Sequence, residues 1–258
     1  MGSALAKAIR QGNPELTLNL SDRNTKRLQE VSEELSASAY ALENISELIK
    51  RSQVIMIGIK PKDIVGLFED IHTYLENETS KLWISMAVAT SLNKLQNLAP
   101  DSHRWIRIMP NTPVEVNEGW LSYCKANNVT EEDEKALLQL FNKAGRVTPI
   151  SEDLFDIAGA VAGSGPAFIY QLIEAMSDAG VMHGLSRQDA IMMAAQTVLG
   201  SAKMVIESGK HPGALKDAVT SPNGTTIQGV AQLEAAGYRS AMIQAINTTY
   251  RKSVDLSK

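Results

Sequence analysis

QVIMIGIKPKDIVGLFEDIHTYL, residues 53–75, places two different hydrophobic periodicities on either side of one turn. Its first part, residues 53–59, is a short continuous apolar run, which is typical of a buried strand. The GIKP turn (58–61) follows, and its proline suits the first position of a helix because its φ is already fixed near the helical value. Beyond the turn, apolar side chains recur every three or four residues and form one face of a helix. The stretch therefore predicts a strand–turn–helix unit of an α/β fold.

The same alternation of apolar runs and helical patterns recurs through the first 150 residues. Short strands separated by helices favour βαβ units around a mainly parallel sheet. We therefore expect a Rossmann-type, doubly wound sheet. The further predicted strands are LTLNL (16–20), KLWISMA (81–87) and HRWIRIM (103–109), and a helix is predicted at 128–145 with Thr130 as its N-cap and Gly145 as its stop.

The second half of the chain is predicted to be helical. Beyond residue 150 the strand signal largely disappears, and turns such as GSGP, HGLS and SPNGT separate long helical patterns. Segments such as MMAAQTVLG (192–200) are very apolar, and methionine stripes are more often core or subunit interface than cofactor contacts. We therefore expect an α/β domain over residues 1–150 and an all-helical, dimerising domain over residues 151–258.

Composition argues against several classes of site. The 258-residue chain carries a net charge of −4 with interspersed signs, which disfavours a nucleic-acid surface. Cys124 is the single cysteine and the four histidines show no ligand pairing, so we expect neither an internal disulfide nor a metal site. No apolar run approaches the roughly 20 residues of a membrane span, and the first residues lack a signal-peptide layout. We expect a cytoplasmic protein without membrane contact.

The opening MGSALAKAI (1–9) is similar to the helix that follows the glycine-rich turn of a dinucleotide-binding unit. Gly2 would be the third glycine of that turn, but the strand and the two glycines that would precede it are not in the sequence. An ordinary helix start explains the same residues. After the next predicted strand, Ser21 and Arg23 favour NADP(H), because an NAD site usually places an acid there. The same SDRN segment is also a good helix cap.

Two glycine-containing stretches in the second half are further candidate sites. In AGSGP, Ser164 and Pro166 are typical of a helix cap and a first helical turn, and the glycines permit close backbone approach. In SPNGTTIQ, a turn leads to Thr225 and Gln228, which have the spacing of a capping box. A small carboxylate could bind the N–H groups at that helix start. Helix packing for the first stretch and a simple helix cap for the second are the alternatives.

Taken together, these stretches resemble the pyrroline-5-carboxylate reductase family. The resemblance implies a Rossmann domain that binds NADPH, with NADH as the alternative, followed by a helical domain that interleaves with a second subunit. It also implies reduction of 1-pyrroline-5-carboxylate to L-proline by a homodimer, or by a larger ring built from dimers. The match covers essentially the whole chain and is densest in IMPNTP (108–113), AGSGPAFIYQLIEAMSDAGV (162–181), residues 194–227 and RSAMIQAINTTYRKS (239–253).

The resemblance further implies roles for individual residues. Thr226 would be the catalytic hydroxyl that donates to the ring nitrogen of the substrate, and it would hold the substrate carboxylate together with Gly224 and Thr225. Because an iminium carbon is already electrophilic, we expect positioning to contribute more than acid catalysis. The implied cofactor-binding residues are Met1, Gly2, Ser21, Arg23, Asn44, Gly58, Ile59, Lys60, Pro61, Met86, Ala87 and Val88.

The chain departs from the family pattern at three places. Ala89 stands where the family usually has glycine, and Asn223 replaces the first glycine of the turn, a mild change because asparagine tolerates positive φ. Family members also carry a segment before the position of Met1, which encodes the central strand and the first two phosphate-turn glycines. Two alternatives therefore stay open. One is a catalytically impaired, dimer-forming relative or fragment that cannot bind the dinucleotide. The other is a β-hydroxyacid-type dehydrogenase, for which Lys203 is an available lysine.

Overall fold

A computed structural model describes residues 1–76, 78 and 80–257. The chain is grouped into two compact units. The first unit comprises Met1–Ser164 together with the residues from Thr249 onward, and the second comprises Gly165–Thr248. Within the described ranges, no helix has both the length and the apolar character that crossing a membrane requires.

The strands of the first unit form two sheets. Among the described residues they are β1 (Asn19–Leu20), β2 (Ser38–Ala39), β3 (Val54–Ile57), β4 (Leu82–Ser85), β5 (Arg104–Met109), β6 (Gly119–Lys125) and β7 (Gly145–Pro149). β1 and β2 pair in parallel as a small sheet, and β3 to β7 form the second sheet in chain order. Its first three strands run parallel, whereas β6 is antiparallel to β5 and parallel to β7. The expected mainly parallel α/β architecture is confirmed.

All four predicted strands occur, although LTLNL contributes only the two residues of β1. In the described part of the chain, β1 pairs with β2 alone and β3 pairs with β4 alone. The two sheets are tied by a side-chain bond in which Asn19 Nδ2 donates to Ser52 Oγ over 3.2 Å. The second edges of β1 and β3 therefore have no strand partner among the described residues.

The helices of the first unit cover the sheet and bury one apolar face each. They are α1 (Gly2–Gly12), α2 (Thr25–Leu35), α3 (Ile45–Arg51), α4 (Pro61–Leu75), α5 (Leu92–Gln96), α6 (Glu131–Leu140) and α7 (Phe155–Ala158). The predicted helix after residue 128 is confirmed as α6, and Thr130 caps it in a capping box with Asp133. Gly145 was wrongly predicted to end this helix, because α6 ends at Leu140 and Gly145 opens β7 with a φ of 111°.

β6 and β7 were not predicted from the sequence pattern. β6 begins with a glycine and is interrupted by polar residues, and β7 is a five-residue strand that ends in Pro149. These strands are specified by how closely their backbones approach each other, since a Cβ on Gly119 would collide with the Ala144 carbonyl. A close backbone approach of this kind fixes the register but leaves no apolar signature in the sequence.

The core of the first unit is centred on the parallel strands. Trp83 and Trp105 are paired neighbours on β4 and β5, and their rings stack with centroids 5.6 Å apart. Phe68 on α4 contacts both rings, at 5.1 and 5.5 Å. All three side chains are buried, so helix and sheet share one close-packed aromatic cluster.

The second unit is helical, as predicted for this part of the chain. Its helices are α8 (Gly165–Met182), α9 (Arg187–Ser208), α10 (Pro212–Ala218), α11 (Thr225–Ala235) and the first part of α12 (Tyr238–Ser257). Between Gly165 and Thr248, a stretch described throughout, the buried apolar side chains are Ala190 and Ala194. Large apolar side chains on the same helices are exposed, including Met182 at 81% and Met192 at 62%. This unit therefore has no sizeable core of its own.

Candidate active site

Three predicted cofactor residues converge where α1 begins and β3 ends. α1 starts at Gly2 with Met1 as its N-cap, and Gly58 is the first residue after β3. A Cβ built on Gly58 would lie 3.6 Å from Met86 Cε and 3.8 Å from Gly2 Cα. The glycines thus let the two backbone segments approach closely at the carboxyl edge of the sheet, where open α/β sheets bind ligands.

The loop after β1 reaches the same edge. Arg23 Nη1 lies 3.4 Å from Asp63 Oδ2, and Asp63 belongs to the first turn of α4. This helix begins with Pro61 at its first position, as predicted, and Lys60 is its N-cap. The hydroxyl of Ser21 is buried and has no hydrogen-bond partner among the described residues. A buried hydroxyl without a partner is a group that a ligand can satisfy.

A second contact joins the starts of α1 and α2. Arg27 Nη2 donates to Ser3 Oγ over 2.9 Å, although the two residues are 24 positions apart. Neither helix has an acid in its first turn. Positive helix ends, arginines and a buried hydroxyl therefore share one edge of the first unit. These groups fit the phosphates and the ribose of a dinucleotide.

The segment after β4 completes this edge. Ala87 is buried and its N–H donates to Ser85 Oγ over 3.3 Å, whereas Val88 is exposed. Ala89 has a φ of 60°, a left-handed conformation that residues with a Cβ adopt at a cost. The glycine that the family pattern carries at this position is explained by that conformation.

Two predicted cofactor residues lie less directly at this edge. Ile59 is partly buried and packs against the hydrophobic core. Asn44 is exposed at the end of the 3₁₀ turn Leu42–Asn44, and its side chain makes no cap hydrogen bond to α3. A contact between Asn44 and adenosine therefore stays a prediction.

Ser164 does not cap a helix in the predicted way. Gly159–Gly163 forms a π-helix, and Ser164 continues it with helical φ and ψ values of −91° and −23°. α8 then begins at Gly165, so Pro166 lies in its first turn as expected. Asn111 holds the π-helix in place, since its Nδ2 donates to the Ala162 carbonyl over 3.0 Å. The extended backbone that a cap requires is absent at Ser164 because the preceding helix runs into it.

The second unit contains the predicted turn at residues 221–224. The Gly224 N–H donates to the Ser221 carbonyl over 3.1 Å, and Asn223 has a φ of 58°. Pro222 and Asn223 occupy the central positions of the turn, in the arrangement typical of type II. Asparagine thus adopts the positive φ that we expected it to tolerate. A Cβ on Gly224 would displace the Ser221 hydroxyl and lie 3.2 Å from the Ser221 carbonyl, so a larger residue here would crowd the turn.

The predicted capping box at α11 is wrong. Gly224 is the N-cap, Thr225 is the first helical residue, and no side chain caps the helix. The helix starts one residue earlier than the box requires, because the turn delivers an extended Gly224 with φ −81° and ψ 174° directly to it. Thr225 and Thr226 are exposed, and the first N–H groups of α11 carry no side-chain acceptor. This helix start can accept a small carboxylate.

The strongly shifted titratable groups do not belong to these two sites. Burial, reinforced by Glu152, raises the pKa of Cys124 to about 12. Its thiol is therefore protonated and unreactive at neutral pH. Burial also lowers the pKa of His103 and raises that of Tyr123. The chemistry of the candidate site depends on placed donors and cations rather than on a shifted acid or base.

The sequence analysis missed Ser3, Arg27 and Asp63. Arg27 lies in the first turn of the helix that follows the SDRN segment, and this position was an available signal. The partners Ser3 and Asp63 could not be identified in the same way, because their contacts depend on how separate helices pack at the sheet edge.

Comparisons with known proteins match both halves of the chain. The family model for pyrroline-5-carboxylate reductase dimerisation matches residues 152–256. The pyrroline-5-carboxylate reductase of Methanosarcina acetivorans is 39% identical over 82% of this chain and 77% of its own length. That of Escherichia coli is 40% identical over 84% of this chain and 80% of its own. The crystal structure of the Plasmodium falciparum pyrroline carboxylate reductase with NADP bound has a TM-score of 0.88 at 32% identity, and the match covers all of this chain and 95% of that one.

Proposed function

The chain belongs to the pyrroline-5-carboxylate reductase family, and on that basis we propose that it reduces 1-pyrroline-5-carboxylate to L-proline with NAD(P)H. The observation that carries the proposal is the likeness to the NADP-bound Plasmodium falciparum enzyme, which extends over the whole chain with a TM-score of 0.88. It is an oxidoreductase that acts on a cyclic imine. The helical half, which the dimerisation model matches, supplies the substrate-binding helix start in this proposal.

We assign the cofactor to the edge formed by α1, β1, β3 and β4. The N–H groups at Gly2 would bind the pyrophosphate, Ser21 and Arg23 the adenosine ribose and its phosphate, and the Gly58–Pro61 turn the dinucleotide backbone. When bound, NAD(P)H would supply the hydride to the carbon of the C=N bond, and the ring nitrogen would carry one proton taken up from water. The assignment rests on the convergence of Gly2, Gly58 and Met86 and on the unpartnered Ser21 hydroxyl. Asn44, Ile59, Met86, Ala87 and Val88 complete the proposed set.

We assign the substrate to the start of α11. The uncapped N–H groups after Gly224 and the Thr225 hydroxyl hold the substrate carboxylate by charge-assisted hydrogen bonds. Thr226 Oγ1 donates a hydrogen bond to the ring nitrogen and fixes the orientation of the imine. Because no group with a shifted pKa is required, the proposed role of these residues is positioning.

Neither of the two alternative functions, a β-hydroxyacid-type dehydrogenase or a catalytically impaired relative, is supported. Lys203, the lysine that a β-hydroxyacid-type dehydrogenase would need, lies on α9, is exposed and pairs with Glu207 at 3.5 Å. The alternative of an impaired relative receives no support from the comparisons, since the relatives of known function match over both halves of the chain.

The chain forms a homodimer through its helical half in this proposal. The exposed apolar residues of α8 and α9, together with the lack of a sizeable core in this unit, support a subunit interface there. A larger ring built from dimers is the finer form of the same proposal. The division into a cofactor domain at 1–150 and a helical domain at 151–258, and the cytoplasmic location, stay predictions.

The test is an assay of NADPH oxidation with pyrroline-5-carboxylate, in the wild type and in two alanine variants. Gly224→Ala is expected to lower kcat/KM, because the added Cβ would displace the Ser221 hydroxyl in the turn that starts α11. Gly229→Ala on the same helix is the matched control, since its Cβ would have no heavy atom within 4 Å. Wild-type protein that oxidises neither NADPH nor NADH with this substrate would contradict the proposal, as would a Gly224→Ala variant that matches Gly229→Ala.

A further inference from the structure

The acid in the loop after β1 is turned toward the backbone. Asp22 Oδ1 accepts the N–H of Asn24 over 2.9 Å. In a site that selects NADH, an acid at this strand end accepts the ribose hydroxyls. Here the carboxylate is oriented by the start of α2, and Asn24 in turn caps that helix by accepting the Arg27 N–H over 3.0 Å. The loop thus uses its acid for local structure and exposes cations to the ligand.

The two arginines of this region differ in their partners. Arg23 is 65% exposed and lies 3.4 Å from the Asp63 carboxylate, which neutralises part of its charge. Arg27 is bound to the neutral hydroxyl of Ser3 and has no carboxylate within ion-pair distance among the described residues. Its guanidinium is therefore held at a defined position without a counterion. A fixed cation of this kind is suited to a doubly charged phosphate.

The place at which Arg27 is held coincides with the proposed cofactor edge. Ser3 lies in the first turn of α1, where the free N–H groups and the helix dipole favour an anion. Ser21, with its unpartnered hydroxyl, lies at the end of the strand that leads into α2. Arg27 thus joins the starts of α1 and α2, and Ser21 and Arg23 lie in the loop that leads into α2.

We propose that Arg27 is a specificity-determining residue that binds the 2′-phosphate of NADPH, held in position by Ser3. Arg23 and Ser21 contact the same phosphate, and Asp63 keeps Arg23 from binding it at full strength. The preference for NADPH over NADH therefore depends more on Arg27 than on the arginine that directly follows the strand. This inference rests on the proposed function, because it presumes a dinucleotide at this edge.

The test compares Kd values for NADPH, NADH and adenosine 2′,5′-bisphosphate, measured by fluorescence and calorimetry, for the wild type, Arg27→Gln and Arg27→Lys. Loss of a charge-assisted hydrogen bond is expected to weaken NADPH and the bisphosphate by roughly tenfold or more in Arg27→Gln. Binding of NADH should stay within about twofold, which also shows that the variant is folded. Arg27→Lys should recover part of the lost affinity, because lysine restores the positive charge but not the paired N–H donors of the guanidinium.

Lys26→Gln is the matched control, because Lys26 is adjacent, 88% exposed and paired only weakly with Glu30 at 4.0 Å. It removes the same charge and should leave all three Kd values unchanged. Equal weakening of NADPH and NADH in Arg27→Gln would place Arg27 on the pyrophosphate and overturn the assignment. No weakening at all would exclude the contact. Selective loss of bisphosphate binding in a chain that fails to reduce pyrroline-5-carboxylate would keep this inference and reject the proposed function instead.

Discussion

Ala89 offers a sharp test of the backbone geometry at the cofactor edge. Its φ of 60° is left-handed, and this conformation costs a residue with a Cβ about 1–2 kcal/mol. Replacing Ala89 with glycine removes that cost. Glycine also gives the unfolded chain more freedom, which lowers stability by about 0.4–1 kcal/mol. The balance predicts that Ala89→Gly raises the free energy of unfolding by about 0.5–1 kcal/mol.

The assay is reversible unfolding by urea and by heat, followed by circular dichroism. A gain of this size corresponds to a rise in Tm of about 1–4 °C for a chain of this length. Ala158 is the matched control, because it is also half-buried but lies in helical backbone with φ −61° and ψ −40°. There the change to glycine should lower stability by about 1 kcal/mol.

Opposite signs for the two alanines would confirm that φ decides the outcome. Ala89→Val supplies a third point, since a β-branched residue at positive φ should destabilise the chain further. A loss of stability in Ala89→Gly comparable to that in Ala158→Gly would refute the reasoning. It would mean that the left-handed conformation at Ala89 carries no appreciable strain.

Three further outcomes are expected. Burial lowers the pKa of His103 below its ordinary 6.5, so the unfolded chain binds a proton at a higher pH than the folded chain does. The free energy of unfolding is therefore full above pH 6.5 and falls as the pH drops below it. Urea titrations at pH 7.5 and 5.5 should show this loss in the wild type and a smaller one in His103→Gln. Thr226→Ala should reduce kcat/KM without abolishing turnover, and an unchanged kcat/KM would remove Thr226 from the mechanism. The Arg10 guanidinium donates hydrogen bonds of 2.6–2.8 Å to the carbonyls of Leu35, Pro14 and Leu16. Arg10→Lys should therefore lower the free energy of unfolding by about 2 kcal/mol, measured by urea unfolding. Arg51→Lys is the control, since its ion pair with Glu47 is exposed and the urea midpoint should not change.

The elements that the sequence predicted are those with a local cause. The strand and turn around Gly58 follow from an apolar run and a proline whose effects act within a few residues. α6 was predicted for the same reason, because Thr130 and Asp133 satisfy the helix start between themselves. β6 and β7 were missed because they are specified by a close approach between Gly119 and Ala144 rather than by periodicity.

The site could be predicted only in part for a related physical reason. Thr225 was assigned as a cap from its spacing to Gln228, but the turn before it fixes Gly224 in the capping conformation and moves the helix start by one residue. The bond between Arg27 and Ser3 depends on the packing of two helices, and no single stretch of sequence encodes it. Local chemistry locates the turns, whereas packing decides which side chains meet across them.

The stability of the helical half should depend on protein concentration, because apolar side chains between Gly165 and Thr248 are exposed in the single chain. Ordering a residue costs about 1–2 kcal/mol of backbone entropy, and the burial of Ala190 and Ala194 returns very little of it. Burial of these exposed apolar side chains in a homodimer would add to the free energy of folding, so the midpoint of unfolding should rise with protein concentration. Newly synthesised chains would then mature by a second-order encounter, and their rate of maturation would follow how many copies a cell holds.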